Sequence, residues 1–171
     1  MTDLSFEQTC RLAREVIIPG AIRNFTEHGE VVPASFVLGR RDPRTGKALD
    51  KLALAIVPLA GDKDAVRALQ QRVCDRADAV AHIYVTEGWS VTLSDDAPFD
   101  DPYEGRETLE QHPDREEVIL ITLEHKDGGA MWKLPILRDG TRPTLGPLQE
   151  DTGMAAMQGR MTGYVRKQPE A

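Results

Sequence analysis

The chain is poor in the features that identify several common classes of protein. Its two cysteines, Cys10 and Cys74, are far apart and form no CxxC motif, which excludes a disulfide-rich secreted scaffold. We expect both to be reduced, partly buried thiols. No apolar run approaches the roughly 18 residues of a membrane-spanning helix. The N-terminus has no basic region followed by an apolar stretch, so we predict a cytoplasmic protein without a membrane partner.

Complete catalytic motifs are also missing. The chain has no Gly-x-Ser-x-Gly elbow for a serine nucleophile and no His-Glu-x-x-His zinc motif. We therefore predict no cofactor and no metal. An excess of positive charge is absent as well, because the net charge is −7. This balance disfavours a nucleic-acid partner, since such binding depends on neutralising phosphates with basic side chains.

What the chain does have is an acidic insert at residues 87–117. Eleven Asp and Glu residues stand there against two Arg, a local net charge of −9, so the rest of the chain carries +2. Apolar runs at 79–86 and 118–124 flank the insert, and their patterns predict strands. An antiparallel pair of strands would hold this charge at one edge of a sheet, where functional loops commonly lie.

The N-terminal segment has the spacing of a helix. Apolar residues recur on one face over residues 2–28. Pro19-Gly20 should interrupt this helix, because proline lacks the backbone donor and clashes with the preceding turn. The outcome is expected to be a kink or two helices, closed by Gly29 as a C-terminal cap.

Two extended segments and a second helix follow. Residues 31–39 and 48–58 predict a hairpin, and the second strand is apolar on both faces, which predicts helices covering both of its sides. Asp62 is the expected N-cap of a helix over 62–78. The apolar face of this helix is predicted to consist of Val66, Leu69, Val73 and Ala77.

The element order α-β-β-α-β-β-β predicts a single α+β domain with a mainly antiparallel sheet and helices packed on it. It resembles the order of profilin-like and roadblock-like sheets, which mostly bind partners or small ligands. The last strand, 130–138, contains Pro135, which favours an edge position or a shorter strand. Residues 1–148 are expected to form the domain, and 149–171 a flexible or partner-ordered tail in which Met154, Met157 and Met161 indicate a short helix.

The two anchors of the acidic insert are the best places to look for function. His112 and Asp114 precede one strand, and on extended backbone they would share a face as a general base with an orienting carboxylate. Glu87 ends the other strand, followed by Trp89. We expect Trp89 to cap the core; if it is exposed, Trp89 and Trp132 are the best aromatic anchors for a partner.

The acidic insert and the hairpin tip between the first two strands carry opposite charges, and each indicates a kind of binding partner. The paired carboxylates Asp100 and Asp101 belong to a hard-cation pattern but do not match the EF-hand spacing, so we interpret the insert as solvated charge or as a docking surface for a basic protein. The hairpin tip is basic. A homodimer in which this tip meets the acidic insert of a second copy is the prediction. The basic residues of the tip are Arg40, Arg41, Arg44 and Lys47.

Two segments together resemble a pattern in small uncharacterised bacterial and phage-associated proteins. These segments are residues 79–89 (AVAHIYVTEGW) and 112–118 (HPDREEV), so that the resemblance covers about residues 79–138. It implies a bacterial, cytosolic origin and carries no catalytic residues, because no activity is assigned to that group.

Three functional hypotheses remain open. The first is a non-enzymatic binding protein that uses the acidic insert and the adjacent strand ends. The second is a small hydrolase or metal-dependent enzyme that uses His112, Asp114, the carboxylates of the insert and Glu87. The third is a small-ligand sensor, which would need an apolar pocket between the first helix and the sheet.

Overall fold

The computed structural model describes residues 4–59, 61–91, 111–154 and 164–165. Its helical elements are α1 (Phe6–Leu12), a π-helical segment (Ala13–Ile17), α2 (Ile18–His28) and α3 (Lys63–Ala77). Its strands are β1 (Ala34–Arg41), β2 (Ala48–Pro58), β3 (Ala79–Val91), β4 (Arg115–His125), β5 (Gly128–Leu137), β6 (Thr144–Leu145) and β7 (Gln149–Met154). No helix in these ranges has the length and apolar character needed to cross a membrane.

The N-terminal helix continues through its proline. It begins at a capping box in which the Ser5 hydroxyl accepts from the Gln8 N–H and the Gln8 side chain accepts from the Ser5 N–H. Instead of a break, a π-helical turn precedes Pro19, which then lies in the first turn of α2, where a missing N–H costs least. Gly29 ends α2 in the left-handed conformation at φ 78°, as predicted.

Helix α3 begins where the sequence indicated but buries a partly different face. The Asp62 carboxylate accepts from the N–H groups of Asp64 and Ala65, each at 3.0 Å. Leu69, expected in the core, is 40% exposed, and Gln70 is buried in its place. The buried positions of α3 are Val66, Gln70, Cys74 and Ala77, so that Val66 and Ala77 are buried as predicted and Val73 is half-buried.

The sheet is antiparallel and confirms the predicted α+β class. Its order is β2-β1-β3-β4-β5-β6, and β7 also pairs with β5. All pairings among the described strands are antiparallel. The longest runs between β3 and β4, from Ala81 opposite His125 to Val91 opposite Arg115. This pair is the scaffold that holds both ends of the acidic insert.

The two faces of the sheet differ in what covers them. α1, the π segment and α2 cover one face and form the main core with apolar side chains of β3, β4 and β5, including Ile83, Ile121 and Trp132. α3 packs on the other face over β1. There Gly39 allows close approach, because a Cβ on it would lie 2.4 Å from the Ala77 carbonyl oxygen.

Strand β2 corrects one prediction. We expected helices on both of its sides, but β2 lies at the edge of the sheet formed by the described strands, and Leu54 and Ile56 on one of its faces are 50% and 61% exposed. On the other face, Val57 is buried. The continuous apolar run therefore predicted the strand correctly, but it did not show whether other elements cover both faces of that strand.

The prediction from Pro135 was wrong. Its strand, β5, is neither at the edge of the sheet nor shortened. Pro135 lies opposite Val118 of β4. On the other side of β5, the pairing with β7 ends at Lys133 and the pairing with β6 begins at Ile136. The position without a donor thus falls in the gap between the two partner strands, where no ladder bond is lost. Its carbonyl oxygen still accepts from the Gly146 N–H at 2.8 Å.

Part of the predicted tail belongs to the sheet. β7 pairs with β5, and Arg14 of the π segment forms an ion pair with Glu150 of β7. Met154, which we expected in a short helix, ends this strand. The other predicted helical methionines, Met157 and Met161, lie outside the described residues, whereas Tyr164 is buried against the α3 side of the sheet.

Candidate functional site

The strands that carry the acidic insert are longer than predicted. β3 continues to Val91 and β4 begins at Arg115, so residues 87–89 lie within the paired strands. In this register Glu87 is opposite Ile119, and Trp89 is opposite Glu117. Because side chains at opposed positions share a face, Trp89 and Glu117 emerge side by side at the end of the sheet.

Trp89 lies at the surface rather than in the core. Its side chain is 36% exposed, and the guanidinium carbon of Arg115 is 5.1 Å from the centroid of its ring. That distance is within the range of a cation–π contact. The contact fixes the indole against one strand while leaving part of its surface to solvent.

A two-pronged ion pair borders the indole. Arg138 Nε and Nη2 donate to the two carboxylate oxygens of Glu117, each at 2.6 Å. The guanidinium holds the pKa of Glu117 below its usual value, and the carboxylate raises the pKa of Arg138. We call Trp89, Arg115, Glu117 and Arg138 the Trp89 platform.

His112 has a structural role next to this platform. It is buried, and its Nδ1 accepts from the backbone N–H of Asp114 at 3.1 Å. Its carbonyl oxygen accepts from Arg115 Nη1, also at 3.1 Å. His112 therefore shapes the turn that enters β4 and holds the arginine that stacks on Trp89.

Glu87 serves a different part of the chain. Its carboxylate accepts from the backbone N–H of Val31, in the segment that leads into β1. His112 and Glu87 thus each fix a separate backbone segment. Among the residues that the structure describes, no group of three or more His, Cys, Asp or Glu side chains could hold a metal ion.

The remaining predicted site residues are distributed over the fold. Asp100 and Asp101 lie outside the described residues. Arg40 pairs with Asp78 at 3.2 Å, and Arg41 donates to the Gly46 carbonyl oxygen. The backbone N–H of Arg44 donates to Asp42, which also accepts from the Thr45 N–H; these bonds lower the pKa of Asp42.

A buried polar cluster on the α3 side of the sheet was not predicted. Ser35 Oγ and His82 Nε2 are 2.5 Å apart, and both side chains are almost completely buried. The ring of Tyr164 packs edge-on against His82 with centroids 4.8 Å apart, and its backbone N–H donates to Glu124 at 3.0 Å. Burial lowers the pKa of His82 to about 4.

A serine bonded to a neutral histidine has the elements of a nucleophile and a general base. Here, however, Ser35 is 0% and His82 1% exposed, so no substrate atom reaches either group in this conformation. Nearby Cys74 is equally inaccessible, and burial raises the pKa of its thiol to about 12. The cluster therefore acts as polar packing between β1, β3 and Tyr164.

The features described above differ in how far sequence signals could have located them. The Trp89–Arg115 contact follows once β3 and β4 are paired in register, so a longer strand assignment would have found it. Ser35 and His82 are 47 positions apart and share no local pattern. Trp132, considered as a surface anchor, is 0% exposed and belongs to the core.

Comparison with protein-family models, with curated proteins and with solved structures gave no match.

Proposed function

We propose that this chain is a non-enzymatic binding protein that docks a basic segment of another protein on the Trp89 platform beside the acidic insert. The exposed indole held under Arg115 is the observation that carries the proposal. Tryptophan and arginine are the side chains most enriched among residues that dominate binding energies. A preordered indole also loses little conformational freedom when it is covered.

The charge around the platform supports a basic partner. The segment that joins β3 to β4 contains seven Asp and Glu residues against one Arg between positions 92 and 110. Glu116 adds another exposed carboxylate at the start of β4. On the platform itself, Glu117 neutralises Arg138, and the exposed carboxylates of Asp114 and Glu116 flank Arg115 in the sequence. Such a field would attract a cationic segment and orient it during encounter.

The two other hypotheses have less support. The enzymatic alternative used His112, Asp114 and Glu87, but His112 Nδ1 and the Glu87 carboxylate are engaged by backbone N–H groups. The sensor hypothesis needs a pocket between the first helix and the sheet, where the described residues form the apolar core. Neither hypothesis has an observation comparable to the exposed Trp89.

Substitution of Trp89 tests the proposal. An array of Lys- and Arg-rich dodecapeptides is expected to bind the wild-type chain, with matched acidic and neutral arrays as references. Because Trp132 is buried, binding should shift the emission of Trp89 selectively. Trp89→Ala should weaken the best peptide by about thirtyfold, which corresponds to ~2 kcal/mol.

Val16→Ala is the matched control, because Val16 is also apolar and exposed but lies on the π segment. Its affinity for the peptides should equal that of the wild type. Equal binding by the Trp89→Ala variant, or no preference for basic over acidic peptides, would contradict the proposed function.

A further inference from the structure

Strand β2 has an outer edge with no partner strand among the described residues. It is eleven residues long and pairs only with β1 there. Such an edge presents unpaired backbone N–H and C=O groups. Edge strands are normally protected by charges, prolines or bulges. The central run Leu-Ala-Leu-Ala-Ile-Val, residues 52–57, has no charge and no proline.

The exposed face of this strand adds an apolar surface to the edge. Leu54 is 50% and Ile56 61% exposed, and Leu52 is partly buried on the same face. Pairing with another strand would satisfy the backbone edge and cover these side chains together. We propose that a second copy of the chain fills this position, with β2 pairing antiparallel to β2 about a two-fold axis.

Symmetry and side-chain pattern determine the register. A two-fold axis perpendicular to the sheet places one residue opposite its own copy. If that residue is Leu54, then Leu52 lies opposite the partner's Ile56. The three apolar side chains of each copy then form three neighbouring cross-strand pairs on one face of the joined sheet. A shift centred on Ala53 would instead place the exposed carboxylate of Asp50 opposite Ile56. The register centred on Leu54 is therefore preferred over the register centred on Ala53.

Charge at the two ends of β2 is complementary in the same arrangement. The end of β1 and the turn before β2 together contain Arg40, Arg41, Arg44 and Lys47 against Asp42, a net +3, although Arg40 is paired with Asp78. The segment after it, at the start of α3, contains Asp62 and Asp64 against Lys63, a net −1. Antiparallel pairing brings the basic end of each copy to the acidic end of the other, twice per dimer. The basic turn thus meets α3 of its partner rather than the acidic insert that we expected.

Sedimentation equilibrium of the full chain tests this dimer. The wild type is expected to dimerise, and Leu54→Lys should weaken the dimer at least tenfold, because it places two ammonium groups opposite each other. Leu54→Glu should have the same effect. An equimolar mixture of the two variants should recover the dimer, since lysine then faces glutamate across the axis. This recovery would also show that both variants are folded.

Cysteine cross-linking tests the register. Leu54→Cys should form an intermolecular disulfide on mild oxidation, whereas Ile56→Cys should do so only when mixed with Leu52→Cys. The native Cys10 and Cys74 are buried and should not contribute. Val16→Lys, on another exposed apolar position, should leave dimerisation unchanged. A wild type that is monomeric at every concentration, or a dimer that survives Leu54→Lys, would overturn the proposal.

Discussion

The two faces of the central sheet are packed by different means. On the face beneath α1 and α2, the interior is mainly apolar and is centred on residues such as Ile121 and Trp132; the buried polar side chains Thr9 and His125 are bonded there to backbone carbonyl oxygens. On the face beneath α3, buried polar side chains take part, including Ser35, His82 and Gln70. Apolar packing gains stability from area removed from water, whereas buried polar groups require a partner to avoid a cost. We therefore expect the first face to supply most of the stability, and the second to respond more strongly to pH through His82.

Adjacent residues on β4 provide the largest expected contrast between the faces. Ile121 is fully buried on the apolar face, and Thr122 lies on the opposite face. Ile121→Ala should reduce the free energy of unfolding by about 2–5 kcal/mol, because it removes apolar contacts and leaves a cavity. Thr122→Ala should cost about 1 kcal/mol or less. Urea denaturation of both variants checks this, and equal losses would contradict the difference between the faces.

The pH dependence of stability tests the polar face through His82. Its pKa is about 4 in the folded chain against about 6.5 when unfolded, so below pH 6.5 the unfolded state binds more protons. The wild type should lose up to about 3 kcal/mol as the pH falls from 6.5 to 4. This loss ends once the folded histidine also becomes protonated.

The variant His82→Gln separates this contribution from those of the carboxylates. Glutamine can still form a hydrogen bond with the Ser35 hydroxyl but does not titrate. Its unfolding free energy should fall less than that of the wild type between pH 6.5 and 4.5. Parallel pH profiles for the two proteins would show that His82 is not desolvated as the structure indicates.

Substitution of Gln70 should have the smallest effect on stability of these predictions, and it should stabilise the protein instead of destabilising it. Neither amide atom of this buried side chain has a hydrogen-bond partner within the described part of the chain. Gln70→Met should therefore stabilise the protein by about 1 kcal/mol, because it removes an unsatisfied amide from the interior. The neighbouring Gln71 bonds to Asp75 at the surface, so Gln71→Met is the control and should not stabilise. Thermal melting of both variants distinguishes the positions.

The sequence predicted local features better than the pairing of distant ones. The bounds of β2, the Asp62 cap and the Gly29 terminus follow from chain-local chemistry, and the structure confirms them. The open face of β2 was missed, because apolar content does not reveal which side another element covers. Gln70 was missed because Leu69 gives the same helical spacing with a more apolar side chain.

Within the candidate site, the same limit applies. Trp89 and His112 were identified as anchors from their positions beside the acidic insert. The stacking of Arg115 on Trp89 required the strand register, and the contact between Ser35 and His82 required the fold. Long-range contacts of this kind depend on the whole sheet, and a single sequence contains no local signal for them.

The pairing of Val91 with Arg115 has a practical consequence for protein engineering. It brings the two ends of the acidic segment together at neighbouring strand positions, so closure of that loop is imposed by the sheet. In a flexible chain, each doubling of loop length costs only about 0.6 kcal/mol of closure entropy. Insertion of a reporter domain or a foreign peptide between Val91 and Arg115 is therefore expected to cost little closure entropy, and the insert would be displayed beside Trp89.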